Sequence, residues 1–232
     1  MLQFFRKFVQ RRRAAAETAR WKAANLGLGS WLAPDVQVLG WKNVRIGPAT
    51  IISEGTWLNV NDRASDAASI LIGANCFIGR RNFLSSGQLV KIGDYCLTGV
   101  DCHFLGADHI HTTPFVPYIV TGTTPGGAIE IGPNCWLGSS VTVLKGLHIG
   151  FGSIIGAASV VTRNIPPMSI AAGNPARVLK RFDVRQNVWV AAGDFAAEAD
   201  LPAEADYLAR LRASHPFIRG PRLASSALFG DI

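Results

Sequence analysis

Two histidines, His109 and His111, stand one residue apart in the stretch GADHIHTTPF at residues 106–115. An imidazole has an ordinary pKa near 6.5, so close to neutral pH it can remove a proton from a substrate as a general base. Neutral imidazole is also a common metal ligand, and His103 and His148 could join such a set. The third alternative is a solvated loop without chemistry. The choice depends on the elements that hold this stretch.

The sequence around these histidines repeats every six residues. From residue 131, aliphatic residues lead six consecutive hexads: Ile131, Leu137, Val143, Ile149, Ile155 and Val161. A period of six matches neither an amphipathic helix nor the alternation of an ordinary strand. It predicts short strands joined by tight corners, with the first and fifth places of each hexad facing inward. Three hexads would close one coil of a triangular prism, so we expect an all-β solenoid.

A less regular run of the same pattern occupies residues 46–104, and all four cysteines fall at the fifth place of a hexad. These are Cys76, Cys96, Cys102 and Cys135. Because none forms a CxxC pair, the pattern predicts buried free thiols rather than disulfides or a metal site. Glycine follows the lead residue in four of the six later hexads, which we interpret as the conformational requirement of the corners.

The hexads are followed by IPPMSIAAGNPARVLKRF at residues 165–182. Together, over about residues 44–182, these features resemble the hexapeptide-repeat acyltransferases, most closely the sugar and xenobiotic O-acetyltransferases. The resemblance implies a left-handed parallel β-helix that transfers an acetyl group from acetyl-CoA to a carbohydrate hydroxyl, in surface polysaccharide biosynthesis. It also implies a homotrimer with active sites between subunits. No metal is expected to be required, because a thioester is already activated.

The same resemblance implies roles for individual residues. His109 would be the catalytic base, with His111 and His103 as the alternatives. Asn82 and Ser86, in RRNFLSSG at residues 80–87, are the candidates for acceptor contacts, although the acidic residue expected there is absent. The residues implied to bind coenzyme A are Trp136, Ser139, Ala157, Thr162, Arg163, Arg177 and Lys180.

Three other functions remain as alternatives. The same scaffold could serve an antibiotic (xenobiotic) O-acetyltransferase. It could also be a γ-class carbonic anhydrase-like metalloprotein, although the later pair of histidines that this class places four residues apart is missing. A catalytically silent solenoid that acts as an assembly module is the third alternative.

Charge and composition set the expected organisation of the chain. Of its 232 residues, 48% are hydrophobic and 17% charged, as in globular proteins. Seven of the 23 Lys and Arg residues lie within residues 1–22 against a single acidic residue, Glu17. The net charge of +7 is therefore concentrated in this segment, and we expect the body of the protein not to bind nucleic acid.

We expect three segments. Residues 1–30 would form a basic amphipathic helix or cap, residues 31–182 the β-helix with a protruding loop at 105–129, and residues 183–232 a helical extension and tail. The basic helix would either contact an anionic membrane surface through residues 1–22 or cap the end of the solenoid. Without an apolar span or a secretory signal, the expected location is cytoplasmic, with the inner face of the membrane as the alternative.

Overall fold

The computed structural model describes residues 2–196 and 200–216, without the side chains of residues 2–11 and Pro125. Between residues 31 and 173, short strands wind around one axis, and each coil adds a strand to each of three parallel sheets. Residues of the same hexad place pair from coil to coil, as Ile46 does with Ile72. The predicted solenoid of parallel coils is confirmed.

The three sheets are named in the order in which the chain visits them within a coil. Sheet I contains β3 (Val44–Ile46), β6 (Ile70–Ile72), β9 (Val90–Ile92), β14 (Ile129–Ile131) and β17 (His148–Ile149). Sheet II contains β1 (Trp31–Leu32), β4 (Ile51–Ile52), β7 (Phe77–Ile78), β10 (Leu97–Thr98), β15 (Trp136–Leu137), β18 (Ile154–Ile155), β20 (Ser169–Gly173), β21 (Ala176–Asp183) and β22 (Val188–Ala191). Sheet III contains β2 (Gln37–Leu39), β5 (Trp57–Asn59), β8 (Phe83–Ser85), β11 (His103–Leu105), β16 (Thr142–Leu144) and β19 (Val160–Val161).

The interior of the prism is filled as the hexads predict. All six later lead residues, from Ile131 to Val161, are buried, and so are Cys135 and Val141 at the fifth place. Burying one such aliphatic side chain contributes about 1.5–3 kcal/mol, so the stacked coils provide one continuous core. All four cysteines are free and buried in this core, as predicted.

The glycines of the hexads have a different cause from the one predicted. A Cβ on Gly138 would lie 2.6 Å from the backbone nitrogen of Ala157 in the next coil, closer than any real contact. The left-handed backbone of the corner falls two residues later, at Ser140, whose φ is 59°. Glycine is therefore required by the close approach of successive coils and not by its own conformation.

In the described part of the chain, two α-helices flank the β-helix. Helix α1 (Leu2–Asn25) meets the first coil through its last turn, where the Asn25 side chain donates a 2.7 Å hydrogen bond to the carbonyl oxygen of Trp41. Residues 12–20 of α1 are exposed on all sides. The structure thus supports the capping alternative for the last turn of the helix only.

Helix α2 (Glu204–Ser214) packs on the side of the prism. The rings of Tyr207 and Phe151 lie 4.7 Å apart, and Arg212 forms a 2.7 Å ion pair with Asp94. Before this helix, β21 and β22 extend sheet II by antiparallel pairing, so the C-terminal extension contributes strand as well as the predicted helix. Within the described ranges, no helix combines the length and apolar character needed to span a bilayer.

Candidate active site

The coils depart from their regular spacing at one edge of the prism, between sheets III and I, which we call the III–I edge. Only residues 145–147 connect β16 to β17 there, as the hexad pattern requires. In the coils before it, residues 60–69 connect β5 to β6, residues 86–89 connect β8 to β9, and residues 106–128 connect β11 to β14. Three successive insertions therefore stack at the III–I edge, and the longest carries His109.

Residues 106–128, the arm, form an ordered excursion. Its two limbs pair as an antiparallel hairpin of β12 (Ala107–His109) and β13 (Thr123–Pro125), in which His109 lies opposite Thr123. His109 is exposed, and its carbonyl oxygen lies 2.9 Å from Nδ1 of His111, so the second histidine contacts the backbone of the first. His103 lies instead on β11 within sheet III, before the hairpin begins. The hairpin thus presents the His109 imidazole on a short, braced strand.

Two aspartates near His109 in the sequence are engaged elsewhere. Asp108 forms an ion pair with Lys145 of the next coil, which ties the hairpin to the prism. Asp101 forms a bidentate ion pair with Arg81 at 2.7 and 2.8 Å, and this hydrogen bonding lowers the pKa of the Asp101 carboxyl below its usual value. Neither carboxylate is therefore placed to orient the His109 ring.

The residues implied to bind coenzyme A fall into separate groups. Trp136 lies on the outer face of sheet II with half of its side chain exposed, and Ser139 and Ala157 stack at the neighbouring edge between sheets II and III, the II–III edge. Thr162 and Arg163 lie after β19, at the III–I edge.

Arg177 and Lys180 are exposed on β21, at the end of sheet II. Within one chain, sheet III separates His109 from the first group, Trp136, Ser139 and Ala157. The structure does not bring the base and these residues together in a single subunit.

The two candidates for acceptor contacts are buried instead. Asn82 is 1% exposed, and its side-chain NH2 donates to the carbonyl oxygens of Gly79 and Gly99 at 2.8 and 2.9 Å. Ser86 is fully buried, and its hydroxyl oxygen accepts a 3.1 Å hydrogen bond from the backbone N–H of Asn61. The structure exposes neither side chain to an acceptor in one chain, because both are used to join coils. Asn82 occupies a fifth hexad place, whose inward direction the repeat already indicates.

The histidines do not converge on a cation site within one chain. His103 faces outward on sheet III, His148 outward on sheet I, and His109 and His111 lie on the arm. No group of three or more His, Cys, Asp or Glu residues that could hold a metal ion occurs in the described parts of the chain.

Comparison with known proteins agrees with this architecture. Residues 128–163 match the family described as the hexapeptide repeat of succinyl-transferase. The chain is 32% identical over 163 residues to a "probable acetyltransferase" of Mycobacterium tuberculosis, covering 69% of this chain and 52% of that protein. It is 38% identical over 124 residues to the galactoside O-acetyltransferase of Escherichia coli, covering 49% and 57%. The chain thus spans a little more than half the length of these relatives.

Among solved structures, the fold is shared with AntD, an N-acyltransferase from Bacillus cereus that was crystallised with dTDP and 3-hydroxybutyryl-CoA. The TM-score is 0.60 at 16% identity, over 81% of this chain and 91% of that one. The fold class expected from the sequence, a left-handed parallel β-helix with a protruding loop and helices at both ends, is confirmed. With its six consecutive hexads from Ile131, its protruding arm and these relatives, the chain belongs to the hexapeptide-repeat acyltransferase superfamily.

Proposed function

We propose that this protein is an acetyl-CoA-dependent O-acetyltransferase whose acceptor is a carbohydrate hydroxyl. The observation that carries the proposal is the position of His109, exposed on a hairpin that an ion pair holds against the prism. The names of the relatives, several of them acetyltransferases and one a galactoside O-acetyltransferase, supply the chemistry. An exposed imidazole on a braced strand is suited to accept the proton of a hydroxyl whose own pKa is far above neutrality.

The reaction follows from this placement. Neutral His109 accepts the proton of the acceptor hydroxyl while the hydroxyl oxygen attacks the thioester carbonyl of acetyl-CoA. Backbone N–H groups stabilise the oxyanion of the tetrahedral intermediate. The carbon–sulfur bond then breaks, and the departing thiolate takes the proton from the imidazolium. The products are the acetyl ester and coenzyme A with its thiol restored, and His109 is neutral again.

Coenzyme A would lie along the II–III edge. Trp136 offers an exposed ring to flank the pantetheine arm, and Ser139 and Ala157 offer backbone at the corners beside it. Phosphate groups need cations and N–H donors. Arg177 and Lys180 would supply cations from sheet II, and Thr162 and Arg163 would contribute from the subunit whose III–I edge faces this groove.

A homotrimer would complete the site. The outer faces of sheets II and III are rich in apolar residues, among them Trp31, Phe77 and Leu97 on sheet II and Leu39, Trp57 and Phe83 on sheet III. The outer face of sheet I instead carries Arg45, Leu71, Lys91, Glu130 and His148. Two apolar faces and one polar face fit a closed ring in which sheet III of each copy faces the three-fold axis and the III–I edge of one copy meets the II–III edge of the next, a heterologous contact.

The tip of the arm supports the same assembly. Phe115, Ile119 and Val120 are 94, 88 and 70% exposed. The contact of these apolar side chains with water is unfavourable, and a neighbouring subunit that covered them would remove it. In a ring of this kind, the His109 hairpin of one subunit faces the II–III edge of its neighbour, so the base and the thioester meet between subunits.

The setting we propose is modification of surface polysaccharide at the cytoplasmic face of a membrane. The support is helix α1, whose residues 12–20 are exposed on all sides and whose charge is strongly basic. An exposed basic helix is attracted to anionic lipid, which would bring the enzyme to lipid-linked glycans.

The test is acetyl transfer itself. Purified protein, acetyl-CoA and a thiol reagent should release coenzyme A faster when methyl glycosides or oligosaccharides are added. Release stimulated only by amphenicol-like alcohols would favour an antibiotic acetyltransferase. The absence of any stimulated release, together with no thermal stabilisation by coenzyme A, would favour a silent assembly module. Stoichiometric zinc by elemental analysis would favour the carbonic anhydrase alternative.

A further inference from the structure

A cavity of about 380 Å³ lies at the III–I edge, beneath the arm. It is lined by three of the chain's insertions: the 60–69 loop, which contributes Asn61 and Asp62, residues Gly87 and Gln88, and Ala107 and Thr123 of the arm hairpin. Its size lies within the roughly 300–1,000 Å³ typical of small-molecule sites. The 60–69 loop contains neither the proposed base nor a residue implied to bind coenzyme A.

The cavity opens on the face of the hairpin that carries His109. In an antiparallel pair, residues directly opposite each other project to the same face, and residues two apart along a strand do so as well. His109 is opposite Thr123 and two residues from Ala107, and both Thr123 and Ala107 line the cavity. Asp108 projects to the other face, where it pairs with Lys145 of the following coil. The proposed base therefore projects to the face of the hairpin that adjoins this cavity.

The wall of the cavity is held in place from behind. The side-chain oxygen of Asn61 accepts hydrogen bonds from the Ser85 hydroxyl and the Gly87 backbone N–H, both at 3.0 Å. Its side-chain NH2 donates no hydrogen bond to the described part of the protein. Asn43, fully buried, donates 2.7 Å hydrogen bonds to the carbonyl oxygens of Ser65 and Ala67 and so fixes the rest of the 60–69 loop.

Asp62 presents a carboxylate on this wall. Its Oδ1 accepts hydrogen bonds from the backbone N–H groups of Ala64 and Ser65 at 3.1 and 3.3 Å, which fixes the direction of the group. Its Oδ2 has no hydrogen-bond partner among the residues that the structure describes. No lysine or arginine is among the residues that line the cavity. The lining thus offers a hydrogen-bond acceptor at Asp62 and donors at Asn61 and Gln88, but no cation.

We propose that this cavity is the acceptor-binding site and that Asp62 determines its specificity for a neutral polyol, such as an uncharged sugar ring. The inference rests on the proposed acetyl transfer. The Oδ2 atom of Asp62 would accept hydrogen bonds from hydroxyl groups of the ring, and the Asn61 NH2 would donate to a neighbouring hydroxyl. The hydroxyl to be acetylated would then point out of the cavity towards His109. Phosphorylated or carboxylated sugars would be disfavoured, because they would bring an anion to Asp62 without a compensating cation.

The experiment compares Asp62→Asn with Asp66→Asn in the full-length protein. Asparagine keeps the oxygen that accepts from Ala64 and Ser65 but removes the charge. Asp66 lies in the same loop, is 94% exposed and pairs with Lys42, yet does not line the cavity. The probes are methyl β-galactopyranoside and methyl α-glucopyranoside as neutral acceptors, and galactose 6-phosphate and glucuronic acid as anionic ones. The readouts are the KM of each acceptor and its binding by saturation-transfer NMR in the presence of coenzyme A.

We expect Asp62→Asn to raise the KM of a neutral glycoside about tenfold and to weaken its NMR signal, because a hydrogen bond to a charged group is lost. Asp66→Asn should match the parent protein in both measurements. Ala67→Phe, which narrows the cavity from an exposed position, should act like Asp62→Asn.

Equal KM values and equal NMR signals in Asp62→Asn and Asp66→Asn would overturn the inference while leaving acetyl transfer intact, and so would a preference for the anionic probes. Glycoside binding that depends on Asp62 without any transfer would overturn the proposed function and keep the cavity as a polyol site. Binding of none of the four probes to the parent protein would overturn the inference as well.

Discussion

Lys145 forms an ion pair with Asp108, the residue immediately before the proposed base, and this contact joins the arm to the coil that follows it. The stem of Lys145 also lies directly beneath Gly126 at the other root of the arm, where a Cβ would be 1.8 Å from its Cδ. One side chain thus supports both limbs of the hairpin. The arm is positioned by the coil on its C-terminal side, while its opposite face is left for the cavity.

Replacing Lys145 by methionine should lower kcat roughly tenfold. Without the ion pair to Asp108 the hairpin is held less firmly, so the His109 imidazole is correctly oriented towards the acceptor hydroxyl for a smaller fraction of the time. The free energy of unfolding should change by only about 0–1 kcal/mol, since both partners are partly exposed. Steady-state kinetics and chemical denaturation measure the two effects. Arg212→Met is the matched control, because its ion pair with Asp94 ties α2 to the prism far from the arm. An equal loss of kcat in both variants would contradict a positioning role for Lys145.

Replacing His109 by glutamine should lower kcat by about 10²–10⁴, the usual contribution of a general base. The variant should keep the melting temperature and the coenzyme A dissociation constant of the parent protein, because His109 is exposed and is not among the residues implied to bind coenzyme A. His111→Gln tests the alternative base. Since His111 contacts the backbone of His109, that variant should lose turnover only modestly. Full turnover in His109→Gln would refute its assignment as the base.

The sequence predicted the repeated part of the molecule well, because one rule of spacing governs it. The inward places, the buried cysteines and the protruding arm all follow from the hexad register. The 60–69 loop escaped notice, although the interval from Leu58 to Ile72 is longer than the hexad spacing allows. The partners of such a loop lie in other coils, as Asn43 and Ser85 do for its two ends, and spacing along the chain does not indicate them. Likewise, the ion pair of Asp108 with Lys145 joins residues that the arm separates in sequence.

Burial raises the pKa of Cys102 to about 11, from an ordinary value of 9.0. The folded protein therefore holds this proton more tightly than the unfolded chain does. The resulting stabilisation is fully present below about pH 9 and is lost as the pH rises towards 11, at up to about 1.4 kcal/mol per pH unit for this thiol. Urea denaturation at pH 8, 9, 10 and 11 measures the loss. The free energy of unfolding of Cys102→Ala should fall less steeply over the same pH range. Equal slopes in the variant and the parent protein would contradict the assignment of the effect to the Cys102 thiol.

Helix α1 should bind anionic vesicles. The triple variant Arg11→Gln, Arg12→Gln, Arg13→Gln removes three of the seven cations of residues 1–22. Each basic residue near an anionic membrane surface contributes about 1 kcal/mol to binding, so the triple variant should have a vesicle partition coefficient roughly two orders of magnitude lower at low salt. Co-sedimentation with vesicles containing phosphatidylserine measures this, and vesicles of phosphatidylcholine alone are the control. Equal sedimentation of the parent protein with both kinds of vesicle would contradict an electrostatic attachment.

The separation of His109 and Ala157 onto different edges of one chain predicts complementation between inactive subunits. His109→Gln lacks the base, and Ala157→Trp should block the pantetheine groove from an exposed corner without disturbing the core. Each variant alone should form an inactive trimer. If equal amounts are unfolded and refolded together, a site is intact only where an Ala157→Trp subunit supplies His109 to a His109→Gln neighbour. This occurs at about a quarter of the sites in a randomly mixed ring with heterologous contacts. Recovery of about a quarter of the parent activity is therefore expected, and mixing the folded proteins without unfolding is the control. A trimer by light scattering that recovers no activity would show that the base and the thioester belong to one subunit.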